Sequence, residues 1–392
     1  MKNYLFLFIL LLKLAISQDS LYLVNTLVGE TTNKLINAKA AGDLNGDGYA
    51  DLAVIFDDST HIYFGNNGFE LESDYSIPNI LAFPGDVNND GYADFLFVKN
   101  KSGNVAIHVG FGGIQLDTTG ILIYEQQYLD ESFSGQVDPL GDVNGDGYND
   151  FVIASPYNWS DGIGRVYLYF GGETIDTDSV VIFTSDLTGD FFGHAATGIG
   201  DQNNDGYDDF LISAPNEIFV DSMISKVYLY HGSEGIDSLV DSILTFPDRE
   251  FGFNLKNLGD INNDGTIDFA ITSFDSCVIY LNIDSILTTQ FYGSSNGIGG
   301  NGDIDNDEIS DFILGYIKGD ENDYSGMECY TGSPEIDLTP DYYANEEQEY
   351  SSFSKHSDFI GDFNNDGYDD IFVVAYTYRK DSKEIGKVYL YS

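Results

Sequence analysis

The sequence predicts an all-β protein, and more specifically a seven-bladed β-propeller with four-stranded blades. Three observations lead to this prediction. The composition holds 43 Gly, 28 Tyr and 28 Phe but only 8 Pro and 3 Met, which is typical of aromatic-rich strands and turns. One acidic motif recurs seven times along the chain, as it does in repeat architectures. Each recurrence is accompanied by segments that can form four strands.

The first residues have the form of a signal peptide. An apolar stretch at residues 4–12 follows a basic residue, and the small residues Ala15 and Ser17 stand where a signal peptidase would cut. The stretch is too short for a stable membrane-spanning helix; a short core or anchor helix is the alternative. We expect residues 1–17 to be removed and residues 18–392 to form a single propeller that is secreted to the extracellular space, or periplasmic or on the cell surface in a bacterium.

The recurring motif reads Gly-Asp-x-Asn-x-Asp-Gly-x-x-Asp and is followed by an apolar residue. We number its positions from the first Asp, so that the last Asp is position 9. The copies lie 43 to 59 residues apart and begin at Asp43, Asp86, Asp142, Asp201, Asp260, Asp303 and Asp362. A period of this length predicts a propeller or a solenoid.

Strand candidates surround each motif. In the third repeat a short apolar run at residues 151–154 follows the motif at once and predicts a buried strand. The alternating aromatic segment 165–170 predicts a second strand type with two different faces. Residues 179–183 and 192–199 are two more candidates before the next motif. Each repeat therefore supplies four strands, as a propeller blade requires.

The two ends of the chain favour a closed propeller over an open solenoid. The chain finishes on the third strand of a repeat, residues 387–391, and residues 21–28 match a fourth strand. We expect this N-terminal strand to complete the last blade. Such closure removes the unpaired edge that an open array has to cap.

The motif supplies oxygen atoms in the pattern that calcium prefers. Side chains at positions 1, 3, 5 and 9 and the backbone carbonyl of position 7 would give six or seven ligands, and Gly at position 6 permits the tight bend. Three carboxylates and one amide favour Ca²⁺ over Mg²⁺. A single turn of this kind could be a solvated β-turn, but seven copies in one register indicate metal sites. We expect up to seven Ca²⁺ ions, one per blade.

The predicted ligands occupy positions 1, 3, 5, 7 and 9 of each motif. In chain order they are Asp43, Asn45, Asp47, Tyr49 and Asp51; Asp86, Asn88, Asp90, Tyr92 and Asp94; Asp142, Asn144, Asp146, Tyr148 and Asp150; Asp201, Asn203, Asp205, Tyr207 and Asp209; Asp260, Asn262, Asp264, Thr266 and Asp268; Asp303, Asp305, Asp307, Ile309 and Asp311; and Asp362, Asn364, Asp366, Tyr368 and Asp370.

Two comparisons qualify this prediction. The motif is not an EF-hand, because position 12 holds an apolar residue such as Val54 where an EF-hand has its bidentate Glu, and a strand follows in place of a helix. The motif at Asp303 departs from the others by carrying Asp305 at position 3 and Glu308 at position 6. Its bend and its affinity are therefore the least predictable of the seven.

The charge balance excludes polyanionic partners. The chain has 16 basic and 65 acidic residues, a formal charge of -49, which repels nucleic acid and anionic membrane surfaces. Beyond the first residues no segment is long and apolar enough to be transmembrane. Cys277 and Cys329 fall in different predicted blades, which favours buried free thiols over a disulfide. Asn100 and Asn158 begin N-glycosylation sequons.

These motifs resemble the FG-GAP repeats that form the head propeller of integrin α-subunits and recur in many secreted repeat proteins. The resemblance covers most of residues 19–392, and its best copies are residues 191–194 (Phe-Phe-Gly-His) with 212–215 (Ile-Ser-Ala-Pro), and Phe251-Gly252. It implies a propeller that binds calcium and serves in binding or cell adhesion. No sandwich domain, membrane helix or cytoplasmic tail follows in this sequence, so integrin signalling is not carried over.

The sequence contains no catalytic constellation that we assign. Residues 293–297 fit a nucleophile-elbow pattern but lack a strand-to-helix turn. The five histidines lack zinc spacing and are expected to be structural; they are His61, His108, His194, His231 and His356. Paired carboxylates for glycoside cleavage cannot be recognised from spacing. An enzyme acting on polysaccharide or phospholipid is therefore the alternative, with its catalytic residues expected at the central channel.

The leading prediction is an extracellular binding or cell-adhesion module. Loops between the blades would contact an extracellular protein or glycan ligand while calcium stabilises the opposite face. Residues 157–159 (Tyr-Asn-Trp) and the Tyr-rich segment 342–350 are candidate contacts; exposed loop packing is their alternative explanation. Residues 318–320 (Lys-Gly-Asp) resemble a short adhesive tripeptide, which arises easily by chance.

Overall fold

The computed structural model describes residues 21–392 except 68–70, 78–79, 102–103, 126–130, 133–136, 159–160, 186, 216–224, 247–249, 274–275, 284, 291–296, 319–323 and 349–350. The predicted signal peptide lies outside the described residues. Within them the chain forms strands and turns and no helix. The described part accordingly offers no helix with the length and apolar character to cross a membrane.

Seven four-stranded antiparallel sheets follow the seven motifs in order, and we number these blades 1 to 7. The inner strands are Leu35–Gly42, Ile80–Gly85, Val137–Gly141, Ala196–Gly200, Leu255–Gly259, Ile298–Gly302 and His356–Gly361. The second strands are Asp51–Phe56, Asp94–Lys101, Asp150–Ser155, Asp209–Ala214, Asp268–Thr272, Asp311–Lys318 and Asp370–Ala375.

The two remaining strands of each blade lie farther from the axis. The third strands are Thr60–Tyr63, Asn104–Phe111, Arg165–Tyr169, Lys226–Tyr230, Ser276–Tyr280, Tyr324–Tyr330 and Lys387–Tyr391. The outer strands are Tyr75–Ile77, Asp117–Glu125, Val181–Thr184, Ser242–Leu244, Ile286–Gln290, Tyr342–Asn345 and Leu23–Val28. Two short ribbons pair Glu131–Ser132 with Tyr157–Asn158 and Arg379–Lys380 with Lys383–Glu384.

The blades form a closed ring. Each inner strand contacts the inner strands of both neighbouring blades, and the inner strand of blade 7 contacts that of blade 1. This arrangement confirms the seven-bladed β-propeller and excludes the open solenoid.

The N-terminal strand closes the last blade, as predicted. Leu23–Val28 pairs antiparallel with Lys387–Tyr391, so that Leu27 stands opposite Val388. The amides of Tyr22 and Ser392 each donate to the other residue's carbonyl, at 3.1 Å. Leu27 also packs against the buried core that contains Val388. The two ends of the chain therefore share one sheet.

The hydrophobic core lies between neighbouring blades because the second strands bury both of their faces. Every residue of Asp150–Ser155 is buried, and the same holds for the second strands of blades 4, 5 and 7. In blades 3 to 6 the Phe that follows the acidic motif stacks on a Tyr of the third strand. Phe312 lies 4.8 Å from Tyr330 between ring centroids, with the two planes only 4° apart. Such pairs add to the burial of aromatic surface.

The Phe-Gly element fills the junction between two blades. Phe192 is fully buried and contacts the ring of Tyr228 edge-on at 5.3 Å. Gly193 follows with a φ of 87°, and a Cβ there would lie 2.7 Å from Val166 Cγ2. In blade 7 the same place is taken by Phe353, which is buried, followed by Ser354 with a φ of 64°. The sequence did not reveal this last copy because Ser stands in place of Gly.

Cys277 and Cys329 are both buried and form no disulfide. Burial raises the pKa of each thiol, which leaves them inert at neutral pH. The expectation of buried free thiols is confirmed.

Candidate metal centre

All seven acidic motifs lie on one face of the propeller. Each motif joins the end of an inner strand to the start of the second strand, and the second strand begins at the Asp of position 9. Because the inner strands run in the same direction around the ring, their connecting loops share one face. We call this face the loop face and its opposite the entry face.

The Asp at position 1 organises each loop. In the motif at Asp142 the Oδ1 atom accepts from the amides of Gly145 at 2.7 Å and Asp146 at 3.0 Å, and Oδ2 accepts from the amide of Gly147 at 2.9 Å. The Asp146 carboxylate accepts from the Tyr148 amide at 3.0 Å. These bonds wind the backbone around the carboxylates, as an Asx-turn does.

The other motifs repeat this geometry. The amide at position 5 donates to the position 1 carboxylate in all seven loops. The amide at position 6 donates to its second oxygen, again in all seven. The amide at position 7 donates to the position 5 carboxylate. One local structure is thus built seven times.

The Asp at position 9 is fully buried in every motif, and in blades 1, 2, 3, 4 and 6 it joins three segments of its blade. In blade 3, Asp150 Oδ2 accepts from the Val143 amide at 3.0 Å and Oδ1 accepts from the Gly171 amide at 2.9 Å. Val143 is position 2 of the loop and Gly171 follows the third strand. A carboxylate offers about four lone-pair sites, so these two bonds still allow Asp150 to ligate a cation.

Burial raises the pKa of the position 9 carboxyls, to about 7 in six motifs; these are Asp51, Asp94, Asp150, Asp268, Asp311 and Asp370. Their backbone hydrogen bonds oppose the shift, and neighbouring Asp residues of the same motif add to it. In Asp209 burial also raises the pKa, while His231, whose Nδ1 lies 3.1 Å from Asp209 Oδ1, opposes the shift. A divalent cation at the loop would favour the ionised form instead.

Two observations test whether these residues fit a cation. In blade 5, where no glycine follows the third strand, Asp268 Oδ1 is buried and has no hydrogen-bond partner. In blade 6, carboxylate oxygens of Asp303, Asp305 and Asp311 lie within 4.8 Å of one another. An orphaned acceptor and converging anionic oxygens are both costly without a cation. The donor set fits a hard divalent cation.

The loop of blade 6 makes the same bend as the others despite Glu308 at position 6. Glu308 adopts a φ of 70°, and its amide donates to Asp303 Oδ2 at 3.0 Å. The equivalent glycines have φ near 90°, and a Cβ built on them, for example on Gly147, meets no atom closer than 3.8 Å. Position 6 of the blade 6 loop therefore has room for a side chain, and the cost of Glu308 is the strain of its left-handed backbone.

The side chain at position 7 has a packing role that sequence reasoning missed. A Cβ on Gly145, position 4 of blade 3, would lie 2.6 Å from Cε1 of Tyr207, position 7 of blade 4. Tyr92 covers Gly46 in the same way between blades 2 and 1. The Tyr of one loop therefore lies on the loop of the preceding blade, and a small residue at position 4 was the available signal.

The remaining sequence candidates do not form a second site within the described residues. Tyr157 stacks on Phe191 at 5.5 Å, and Tyr343 is 70% exposed on an outer strand. Trp159, Tyr350, residues 293–296 and residues 319–320 lie outside the described residues. His61, His108 and His356 lie in strands, while His194 and His231 flank strands. No histidine joins a converging metal-ligand cluster in the described part.

The ring of blades defines a β-propeller, and parts of this propeller match FG-GAP repeats. The family model described as FG-GAP-like repeat matches residues 43–97, and that of the FG-GAP repeat matches residues 135–169 and 359–391. The chain carries FG-GAP repeats and is an integrin-α-like propeller. It is 32% identical over 192 residues to integrin alpha-4 of Xenopus laevis and 31% identical over 172 residues to integrin alpha-6 of Homo sapiens.

These relatives are much longer than the part they share with this chain. Each match covers 43% of this chain but only 18% of the Xenopus and 15% of the human relative. Among solved structures, BBS1N in complex with ARL6DN, soaked with mercury, is similar with a TM-score of 0.56 at 9% identity. That match covers 95% of this chain and 96% of the other. At this identity the likeness concerns the fold alone.

Proposed function

We propose that this chain is a secreted, calcium-binding β-propeller that acts as an extracellular binding or cell-adhesion module. The observation that carries the proposal is the sevenfold loop, which places three or four predicted carboxylate ligands in one short, hydrogen-bonded segment of every blade on one face of an integrin-α-like propeller. The orphaned oxygen of Asp268 and the cluster of Asp303, Asp305 and Asp311 support a cation in these loops.

The cation in this proposal is structural. Residues 1, 3, 5 and 9 of each motif and the carbonyl of position 7 would hold one Ca²⁺, which supplies positive charge where three or four carboxylates face one another. Without it each loop keeps like charges at short range. Binding to the folded state alone stabilises that state by linkage. Seven loops of this kind would make the whole propeller depend on calcium.

Ligand binding is assigned to the entry face and the outer loops. Calcium would keep the loop face rigid, whereas the segments on the entry face vary in length and sequence between blades. Exposed aromatic side chains such as Tyr343 suit contacts with a protein or a glycan. The proposed partner is therefore an extracellular protein or a glycan.

The test is capture by the immobilised mature protein, from panels of extracellular-matrix proteins and glycans, in millimolar calcium and in chelator. We expect a partner that is retained in calcium and released in chelator. Thermal unfolding in the same two buffers provides the second readout, with a clearly lower Tm in chelator. An unchanged Tm would contradict the structural role of calcium, whatever the capture experiment shows.

The alternative function is an enzyme acting on polysaccharide or phospholipid, and the same panels address it. Turnover of any panel member without calcium-dependent capture would favour the enzyme. The channel carboxylate best placed for such a role, Asp358, is bound to Lys256 Nζ and accepts from the amides of Gly300 and Phe359. Those bonds are typical of a structural carboxylate, which is why we prefer the binding module.

A further inference from the structure

A cavity of about 430 Å³ lies on the axis of the ring, outside the acidic loops. Its lining includes Phe253, Gly297 and Lys355, which lie one or two residues before the start of an inner strand. The acidic loops leave the other ends of those strands. The cavity therefore opens on the entry face, and its volume suits a small molecule.

Four of the five charged residues that line the cavity come from one level of the ring. Four residues before each motif, the inner strand places one residue at the same register against the second strand; in blade order these are Lys39, Ala82, Asp138, Thr197, Lys256, Gly299 and Asp358. Lysines stand in blades 1 and 5 and aspartates in blades 3 and 7. Blades 2 and 6, between a Lys and an Asp, carry the small residues.

The two lysines are held at this level with part of their donor capacity in use. Lys39 Nζ donates to the Leu81 carbonyl at 2.7 Å, and Lys256 Nζ contacts Asp358 Oδ2 at 2.5 Å. Gly299 makes room for the second contact, because a Cβ there would lie 2.9 Å from Asp358 Oδ1. An ammonium group has three donors, so both lysines keep donors for a ligand in the cavity.

Lysines outnumber aspartates in this cavity, although the protein as a whole is strongly acidic; burial lowers the pKa of Lys39, and the Asp138 carboxylate opposes that shift. Three of the 16 basic residues of the chain line it, namely Lys39, Lys256 and Lys355, against Asp138 and Asp358. Burial, followed by Lys355 and Lys39, lowers the pKa of His356 to about 4. The imidazole is therefore neutral at neutral pH, mainly because it is buried.

The rest of the wall is mixed: Asn37, Asn254 and Ser357 are polar lining residues, and apolar side chains lie between them. Phe83, Val137, Phe253, Leu255 and Ile298 line the cavity beside the charged level. Inorganic phosphate would leave this surface without a partner and would bring a second negative charge close to Asp358. A hydrocarbon body with one carboxylate matches both parts of the wall.

We propose that the axial cavity binds the carboxylate of a small organic acid with an apolar body, through Lys39 and Lys256. The proposal deepens the binding function proposed above and rests on it, because it places a ligand of defined chemistry on the entry face. The carboxylate meets the two ammonium groups, and the apolar body lies against Phe83 and Phe253. The surrounding acidic surface limits access to ligands that carry little net charge.

The test uses phenylacetate as the probe and its neutral isostere phenylacetamide as the matched ligand, both with the calcium-loaded full chain. Histidine side-chain NMR provides a local readout, since the chain has only five histidines and His356 lines the cavity. We expect phenylacetate to shift the His356 signals and to raise its pKa, while His61 in an outer part of blade 1 stays unchanged. Phenylacetamide should produce neither effect.

Variants locate the binding charge. Lys39→Met should weaken phenylacetate binding by about tenfold or more, and Lys355→Met, an exposed position that cannot unfold the core, by a smaller factor. Lys99→Met, on the second strand of blade 2, should leave binding unchanged. Absence of any His356 shift, equal binding of phenylacetamide, or full binding by Lys39→Met would overturn the proposal. The calcium-dependent Tm is measured separately, so a failure here leaves the calcium-dependent module intact.

Discussion

At the scale of the residue, the acidic motif combines two tasks in one short segment. Positions 1 and 5 bend the backbone by accepting amide protons, and position 9 joins the loop to the segment after the third strand. These tasks belong to the fold and need no cation. The same hydrogen bonds bring the carboxylates close together, and their mutual repulsion favours binding of a cation. In the proposed calcium site, stability and metal binding are therefore linked at single residues.

Glu308 shows the cost of this bend when glycine is absent. Its φ of 70° is left-handed, whereas the six other loops use Gly at position 6. We predict that Glu308→Gly stabilises the protein by about 1 kcal/mol, because it removes left-handed strain and one like charge from the loop. Thermal unfolding measures the change. Glu335→Gly, in an exposed loop without positive φ, is the control and should be neutral or destabilising; equal effects would contradict the argument.

Asp268 offers a way to distinguish a bound cation from a protein hydrogen bond as the partner of a position 9 carboxylate. Its Oδ1 has no protein hydrogen bond, while Oδ2 accepts from the Ile261 amide at 2.9 Å. We predict that Asp268→Asn narrows the difference in Tm between calcium and chelator. In calcium the variant loses a ligand; in chelator it loses a buried charge that its neighbours repel. Asp237→Asn, in an exposed loop of blade 4, should keep the full difference. A uniform loss of stability in both buffers would assign Asp268 a purely structural role.

At the scale of the element, the loop and the strands around it form one unit. The glycine after the third strand lies over the motif and permits close contact in blades 1, 2, 3, 4 and 6; these glycines are Gly65, Gly112, Gly171, Gly232 and Gly332. Each donates its amide to the position 9 carboxylate of its own blade. In these five blades the loop is therefore fixed both by the strands that it connects and by the segment after the third strand.

Gly171 provides the test at this scale. A Cβ there would lie 2.4 Å from the Asn149 carbonyl oxygen and 2.7 Å from that of Val87 in the preceding blade. We predict that Gly171→Ala destabilises the protein by about 1–3 kcal/mol and weakens calcium binding, as measured by denaturant unfolding and calcium titration. Gly235→Ala, where nothing lies within 4 Å of the built Cβ, is the control. Similar stability of the two variants would show that the contact is unimportant.

At the scale of the whole molecule, hydrogen bonds connect the acidic loops around the ring. The residue at position 8 of each loop donates a hydrogen bond to a backbone carbonyl in the loop of the preceding blade. Blade 5 is the exception, because its position 8 carbonyl accepts a hydrogen bond from the loop of blade 4. Examples are the Ala93 amide to the Asp43 carbonyl at 2.8 Å and the Ala50 amide to the Asp362 carbonyl at 3.1 Å, which crosses the closure between blades 7 and 1. The other five junctions have contacts of the same kind. Ordering of one loop is therefore transmitted to its neighbours.

These hydrogen bonds between neighbouring acidic loops predict that the proposed calcium sites are coupled to one another. Asp142→Ala should disable the loop of blade 3 and also lower protection from hydrogen exchange in the loops of blades 2 and 4, with a smaller effect in blade 6. Peptides from each loop, compared by mass spectrometry in saturating calcium, measure this. Asp178→Ala, an exposed residue of the same blade, should change none of them. A loss confined to blade 3 would mean that the sites act independently.

Closure of the ring by the N-terminal strand is the second property of the whole molecule. Deletion of residues 21–28 should lower the Tm clearly and promote association, because it leaves the strand Lys387–Tyr391 as an unpaired edge. Size-exclusion chromatography and thermal unfolding follow both effects. A synthetic peptide of residues 21–28 should restore the Tm, whereas a scrambled peptide should not. An unchanged Tm after deletion would contradict closure as a source of stability.

Much of this architecture follows from the sequence alone, for a physical reason. A blade is a local unit, and the tight bend of its loop requires Asp, Asn and Gly at fixed spacing, so each repeat is recognisable from its own residues. The alternation of apolar and polar residues likewise predicted four strands per repeat. The match between the two chain ends predicted the shared last blade. These features depend on neighbours in sequence or on strand periodicity.

Only the tertiary structure decided what happens between distant repeats. Lys256 and Asp358 stand 102 residues apart and meet on the axis because the ring closes over a small residue in blade 6. Ser354 takes the place of a glycine because surrounding contacts hold its left-handed backbone. No local pattern encodes such contacts, since they depend on the radius of the ring and on the residue that each blade places at the axis. The sequence determined the blades and their loops, whereas closure of the ring created the axial cavity and the continuous series of hydrogen bonds between neighbouring loops.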